Sequence, residues 1–388
     1  MQPTSGNSPI RITQRVAQVA RLFLVLGTVS FGGPAASIAL MDQEVVEKRK
    51  WVTREEFMAM LATTNLVPGP NAVEMAIHIG YKHAGWLGLV SGGAAFILPA
   101  AVISLILAMV YKEYGRLPQV QSIFYGMYPV VLAILLQATY RLGRSAIKDW
   151  LTIGLGIGCL AAAWLQVNEV VIILAAGGVS LAIEIGKKNL PPHLFALALL
   201  PSAFSSMAWI DLMEDRLVQI TLFFLKVGAL LFGSGMVLFA YIQNDVVNRF
   251  GWLTQQQLLD AIAVGQITPG PVLSSATFIG FLVAGYPGAL ASTVAVFLPA
   301  FAIIAAISPW LPKIARYAPV KSVIKGVNVA VVAIILMAAL KLGNAAVVDL
   351  RTALMGIASL IALLRYKMNS VWLILIGAGL GLILLQLA

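Results

Sequence analysis

Two tripeptides carry the strongest chemical signal in the chain, Pro68-Gly69-Pro70 and Pro269-Gly270-Pro271, each set in an apolar stretch. Proline has no amide hydrogen and its ring clashes with the preceding turn, so two prolines around a glycine break a helix. A helix restarting beyond the break opens with N–H groups that lack partners inside it, and its dipole favours negative charge there. The predicted chemistry is anion binding by backbone amides, with Pro70 suited to the first position of a second half-helix. Gly69, Pro70, Gly270 and Pro271 form the centre of this candidate site, and Asn65, Asn71, Thr268 and Ser274 are polar neighbours expected along the substrate path. Satisfying backbone groups freed by proline is the plainer role for the same polar side chains. Gly32-Gly33-Pro34 reads as a third break, with Pro34 opening a half-helix and Gly32 and Gly33 beside the anion. Its counterpart, Gly233-Ser234-Gly235, lacks the proline, and close packing by small residues accounts for it equally well.

Three ionisable residues sit where an apolar environment makes charge expensive. Lys226, about ten residues into an apolar helix, is a candidate anion ligand, or a lysine snorkelling to an interface. Glu74 and His78 are one turn apart on one helical face, which suits proton coupling and equally suits a structural ion pair. There is no phosphate-binding loop, the three histidines lack zinc spacing, and no nucleophile set is present. The sequence therefore predicts no enzyme, no metal and no cofactor.

The elements that must position these residues belong to a membrane protein. Of 388 residues, 60% are hydrophobic and 11% charged, against about 25% charged in soluble domains. Residues 261–312 contain no Asp, Glu, Lys, Arg or His, far longer than the roughly 20 apolar residues a spanning helix needs. The apolar runs are continuous rather than alternating, which argues against a β-barrel. The net charge of +10 sits in short loops, where retention of basic loops on the cytoplasmic side explains it without a nucleic-acid partner. Cys159 lies in an apolar run and reads as packing.

The chain aligns with itself. Phe31-Gly32 matches Phe232-Gly233, Trp51 and Thr53 match Trp252 and Thr254, and the two Pro-Gly-Pro motifs coincide. After a one-residue shift the register continues through Gly80/Gly280, Gly126/Gly326 and Asp149/Asp349. The expected fold class is all-α: a polytopic membrane protein of two inverted-topology repeats with helices broken at Pro-Gly-Pro. The expected organisation is a disordered N-terminus (1–14), a first transmembrane repeat (15–190), a connector helix (191–214) and a second repeat (215–388). One connector crossing inverts the second copy, as in many transporters with a site between the copies. Spanning helices are expected at about 86–110 and 119–140, matched at 287–309 and 322–342. If every segment spans once, Lys48, Arg49, Lys50 and Arg54 fall on the outer face, against the loop-charge rule. A re-entrant broken segment would remove the conflict.

These motifs resemble the chromate ion transporter family in its long, two-domain form. The likeness rests on Phe-Gly-Gly-Pro-Ala-Ala at 31–36, Val-Pro-Gly-Pro-Asn at 67–71, Glu-Met-Ala-Ile-His-Ile-Gly-Tyr at 74–81, Lys-Val-Gly at 226–228 and Ile-Thr-Pro-Gly-Pro at 267–271. The family's first half often carries a basic residue where this chain has Val25. The resemblance implies a multi-pass secondary transporter of the inner membrane that confers chromate resistance by efflux. The expected function is export of a tetrahedral oxyanion, chromate or sulfate, driven by membrane potential or protons. A passive anion channel is the alternative. The expected partners are the small oxyanion and membrane lipid, no nucleic acid, with a homodimer compatible.

Overall fold

The computed structural model describes residues 11–64, 67–188, 215–232, 235–307 and 318–386. Among them every regular element is helical. The connector expected at 191–214, Asn65, and Gly233-Ser234 lie outside the described residues. The stretch expected to be disordered to residue 14 is already helical from Ile12.

The first half begins with α1 (Ile12–Val29), a turn at 30–33, and α2 (Pro34–Asp42), which continues as a wider π-helical turn over Gln43–Lys48. Pro34 occupies the first turn of α2, as its missing N–H permits. Next come α3 (Arg54–Thr64) and α4 (Asn71–Tyr114). Thr53 and Glu56 close a reciprocal capping box at the head of α3, with bonds of 3.1 and 3.2 Å. Then follow α5 (Pro118–Ala146), α6 (Trp150–Trp164) and α7 (Glu169–Lys188). The second half repeats the order: α8 (Arg216–Leu230), α9 (Val237–Tyr241) with its π-turn Ile242–Arg249, α10 (Gln255–Ile267), and α11 (Ser275–Ile307). It ends with α12 (Ala318–Ala346), α13 (Leu350–Arg365) and α14 (Ser370–Gln386).

Helix α4 is two helices folded back on each other. Ala84 and Gly85 leave helical geometry, Gly85 at φ 63°, and the arms 71–83 and 86–114 then run antiparallel. Glycines permit the close approach: a Cβ on Gly92 would lie 2.7 Å from the Ala76 carbonyl, and one on Gly80 would overlap the Gly88 carbonyl. Helix α11 turns the same way at Ala284 and Gly285.

The arm 71–83 also folds back on α3. Lys82 Nζ is 2.9 Å from Glu56, and His83 stacks on Trp51 with ring centroids 3.9 Å apart. His83 Nε2 lies 3.2 Å from Gln18 on α1. Residues 18, 51, 56 and 82–83 therefore share one level, called face A. From it α1 enters and α2 returns, and then α3 enters and 71–83 returns. The 11 residues of α3 reach about 16 Å, roughly half of a 30 Å hydrocarbon core. Pro68-Gly69-Pro70 is thus the tip of a re-entrant hairpin. This answers the charge conflict: Lys48, Arg49, Lys50 and Arg54 lie on face A, where the chain also enters α1 through Arg11 and Arg15.

Two cross-links give the relation of the halves. Lys325, near the start of α12, bonds Asp149, just past the end of α5, at 2.7 Å. Tyr125, near the start of α5, bonds Asp349, just past the end of α12. Each helix's head meets the other's tail, so these equivalent helices are antiparallel. A pseudo-twofold axis along the membrane normal would leave them parallel, so the axis lies in the membrane plane. The last two helices of each half pack on the other half: α6 and α7 on α12, α13 and α14 on α5. Asp149 and Asp349 each also cap the following helix by accepting from Thr152 and Thr352 amides.

Candidate functional site

Each Pro-Gly-Pro tip is built by the same local rules. The prolines withdraw N–H groups, and the glycine between them takes a backbone angle unfavourable to other residues, φ 152° at Gly69 and 89° at Gly270. Where each glycine amide goes is the decisive observation. Gly69 N–H donates to the Leu231 carbonyl at the end of α8, at 2.7 Å. Gly270 N–H donates to the Ser30 carbonyl at the end of α1, at 2.9 Å. Each broken hairpin thus satisfies the helix end of the opposite half. In a hydrocarbon environment an unpaired backbone group costs several kcal/mol, so this exchange fixes both tips at one depth.

Both glycine amides are therefore engaged within the protein. The amides available to a ligand are those that open the helices just beyond. Pro70 also sits one residue earlier than expected, as the cap before α4 rather than its first helical residue. Pro271 caps a single 3-10 turn, Val272–Ser274.

One cavity of about 90 Å³ lies between the tips. Gly69, Pro70, Asn71 and Ala72 line it from the first half and Gly270, Pro271, Val272 and Leu273 from the second. Pro34 and Ser37 of α2, with Gly235 and Met236 before α9, complete the wall. Among the described residues no lining side chain is ionisable, so the attraction they offer an anion comes from backbone dipoles.

The other expected site residues fall around this cavity rather than in its wall. Gly32 and Gly33, at φ 100° and 81°, form the turn before Pro34. A Cβ on Gly32 would meet the Asn369 side chain at 3.1 Å. Thr268 turns its hydroxyl back to the Val264 carbonyl at 2.7 Å, the plainer role anticipated for it. Ser274 is fully buried with its hydroxyl unpartnered. Glu74 is fully buried, and neither carboxylate oxygen has a hydrogen-bond partner. Its carboxylate occupies the space where a Cβ on Gly69 would fall. Among the described residues the structural ion pair weighed for Glu74 is not formed. His78, one turn along the same arm, is buried as well.

Lys226 does not reach the cavity. Its Nζ bonds Asp245 at 2.7 Å, both side chains nearly inaccessible, so the anion-ligand expectation is replaced by a buried ion pair across the α8–α9 hairpin. A buried lysine is stable only with such a partner. Glu169, at the head of α7, lies within electrostatic reach of Lys226, Asp245 and Lys341. Asp245 aligns with Glu44 across the repeat, but nothing in the sequence shows that the chain folds back to bring it to Lys226.

Sequence reasoning missed a second polar chamber of about 440 Å³, here called the vestibule, between the α4–α5 link and α10. Asp260 lies in its wall, 3% exposed. It accepts hydrogen bonds from Tyr111 at 2.6 Å and Tyr128 at 2.7 Å. Asp260 is the one charged residue of α10, immediately before the long uncharged run, and sequence offers no sign that two tyrosines of the other half reach it.

Inverted halves, re-entrant broken hairpins and a shared cavity between their tips define a polytopic membrane transport protein. The chromate transporter family profile matches the chain twice, at residues 17–181 and 218–382. A probable chromate transport protein of Synechococcus elongatus is 35% identical over 375 residues, 94% of this chain and 95% of its own length. The chromate transport protein of Cupriavidus metallidurans is 34% identical over 377 residues, 95% of this chain and 92% of its own. No solved structure matches. The chain belongs to the chromate transporter family and is a transporter rather than an enzyme.

Proposed function

We propose that this protein exports a tetrahedral oxyanion through the cavity between the two Pro-Gly-Pro tips, with chromate as substrate and sulfate as its close competitor. One relative is named a chromate transport protein and the other a probable one, and the two ions share charge and shape, so a wall of backbone dipoles separates them weakly. The observation that carries the reading is the shared cavity, lined symmetrically by residues 69–72 and 270–273. The helices opening at Asn71 and after Pro271 aim their positive dipole ends at it, as half-helices do in transporter sites.

Face A carries Arg11, Arg15, Lys48, Arg49, Lys50 and Arg54, and Arg144 and Lys148 follow at the end of α5. The loop-charge rule places that face in the cytoplasm of an inner-membrane protein. Export of a dianion is then favoured by an inside-negative potential. Glu74 and His78 supply the coupling: an ionised Glu74 beside Gly69 repels the anion, and a protonated one does not, so anion and proton occupancy are linked. Helix exteriors rich in exposed apolar residues such as Val90, Leu98, Leu290 and Val294 contact lipid, and a homodimer is compatible with that surface.

The test is anion uptake into everted membrane vesicles, with and without a pH gradient. Saturable uptake of chromate inhibited by sulfate, lost in Gly270→Val, is expected. Uptake that never exceeds electrochemical equilibrium would make the protein a channel, and undiminished uptake in Gly270→Val would remove the cavity from the path.

A further inference from the structure

The vestibule opens on the face opposite A, called face B, where α4 ends, α5 begins and α10 starts. Lys112, Arg116 and Gln121 at its mouth are exposed, and Asp260 lies at its inner end. A hydrogen-bonded chain joins the two. Gln256, exposed one helical turn before Asp260, donates to the Tyr128 hydroxyl at 3.0 Å, and Tyr128 donates to Asp260 at 2.7 Å. Tyr111 donates to the other carboxylate oxygen at 2.6 Å. Asp260 is therefore a buried carboxylate held by hydroxyls that can both donate and accept, in the wall of a chamber wide enough for water.

Among the described residues no buried cation neutralises it. The charges sharing the chamber are Lys112 and Arg116, both at the mouth. Trp252 and Leu253 before α10 and Leu282 of α11 contribute no charge. Of α12, Lys341 is met through its backbone carbonyl, by Gln255 at 3.3 Å, and α14 has no ionisable residue. The position also has no twin: the repeat equivalent of Asp260 is Ala59, which is exposed. Beyond Asp260, α10 runs about 10 Å to its end at Ile267, just before the second Pro-Gly-Pro tip.

We propose that Asp260 is a proton-binding site that exchanges with water on face B alone, with Tyr111 and Tyr128 as positioning residues, and that it gives the transport cycle its proton dependence on that side. The proton comes from vestibule water, adds to the Asp260 carboxylate and returns to water on the same face. Carboxylates at membrane depth that are held by hydrogen bonds rather than cations serve this role in proton-coupled carriers. The proposal rests on the transport reading above but not on the identity of the anion.

The experiment uses the full chain reconstituted in liposomes, with sulfate as the anion and the pH set separately inside and outside. Two quantities are read: exchange of labelled for unlabelled sulfate at equilibrium, and the dependence of net sulfate flux on the pH at face B. Asp260→Asn is expected to keep exchange within about threefold of wild type and to lose the response to face B pH by about tenfold or more. Asp260→Glu restores it, and Tyr111→Phe and Tyr128→Phe move the pH at which flux is half-maximal. A wild-type response to face B pH in Asp260→Asn overturns the proposal. So does parallel loss of both quantities in Asp260→Asn and Asp260→Glu, each checked as monodisperse, since that marks a packing role. Wild-type protein whose sulfate flux ignores face B pH also overturns it, and leaves the transport reading intact. Wild-type protein with no exchange of sulfate or chromate breaks the transport reading instead.

Discussion

The two halves share a backbone and differ in charge. In the first, α1 carries exposed Val25, and Glu44 on the π-turn pairs at the surface with Lys48 and Arg49. In the second, the equivalent positions are Lys226 and Asp245, a buried pair. Glu74 in the first half faces Ser274 in the repeat register, and Asp260 in the second half faces Ala59. The skeleton that shapes the cavity is duplicated, from the broken tips to the reciprocal bonds at Gly69 and Gly270. Among the described residues, each deeply buried Asp, Glu, Lys or His lacks a buried ionisable counterpart in the other half. Symmetry builds a site reachable from two opposite orientations, and asymmetry of charge distinguishes the two faces, which a vectorial carrier requires.

The largest expected effect tests the symmetric part. Gly69→Val drives a side chain into the Glu74 carboxylate, and Gly270→Val brings its Cβ to 3.1 Å from the Gly27 carbonyl and 3.2 Å from Ala100. Both also force a β-branched residue into positive φ, a strain of about 1–3 kcal/mol. Each variant should abolish anion exchange by itself, although neither glycine has side-chain chemistry to lose. A tip that tolerates valine with full exchange would show that only one half shapes the cavity.

The next effect concerns the unmatched ion pair. Lys226→Ala and Asp245→Ala each leave a buried charge without a partner, and each should cost about 3–5 kcal/mol of stability. The double variant should recover much of that loss. Glu44→Ala, at the matching position of the first half, should change stability by less than about 1 kcal/mol, because its pairs are solvent-exposed. Thermal melts of the detergent-solubilised protein read all four. A double variant that folds normally yet binds no anion would return Lys226 to the substrate path and erase this contrast between the halves.

The parts of this fold legible in sequence were those carried by backbone rules. Proline, glycine and their spacing gave the breaks, and the repeat gave the pairing of halves. What stayed hidden depended on which way the chain turns after a break. A helix interrupted by Pro-Gly-Pro reads alike whether it continues or folds back, and only the contacts of Lys82 with Glu56 and of His83 with Trp51 show the return. The destination of the Gly69 and Gly270 amides was hidden for the same reason, since their acceptors are about 160 and 240 residues away in the other half. Isolated charges were visible as costly, but Lys226 was matched to a ligand because Asp245 lay beyond a turn whose direction was unknown.

The smallest expected effect compares the two cross-links that hold α5 antiparallel to α12. Asp149 and Asp349 occupy equivalent caps, yet one meets a cation and the other a phenol. The Lys325 ammonium beside Asp149, with help from the Thr152 amide, holds its carboxyl below the usual carboxylate range. For Asp349 the Thr352 amide is the main cause of a lowered value and the Tyr125 hydroxyl a lesser one. A carboxyl lowered in the folded state stabilises the fold at pH values above its unfolded pKa, and that contribution fades as pH falls through the folded value. Melting temperature should therefore decline on acidification below the ordinary aspartate range, and Asp149→Asn and Asp349→Asn should each flatten that decline. Salt separates the two. Added electrolyte screens exposed charges over about 10 Å or less at 0.1 M, so it should weaken the Asp149–Lys325 link and leave the Asp349–Tyr125 link nearly unchanged. Lys325→Met should then abolish the salt dependence of the melt, whereas Tyr125→Phe should lower the melt slightly at every salt concentration. Equal salt responses in both variants would mean that the charge at residue 325 adds nothing to the cap, and that the two links are equivalent despite their chemistry.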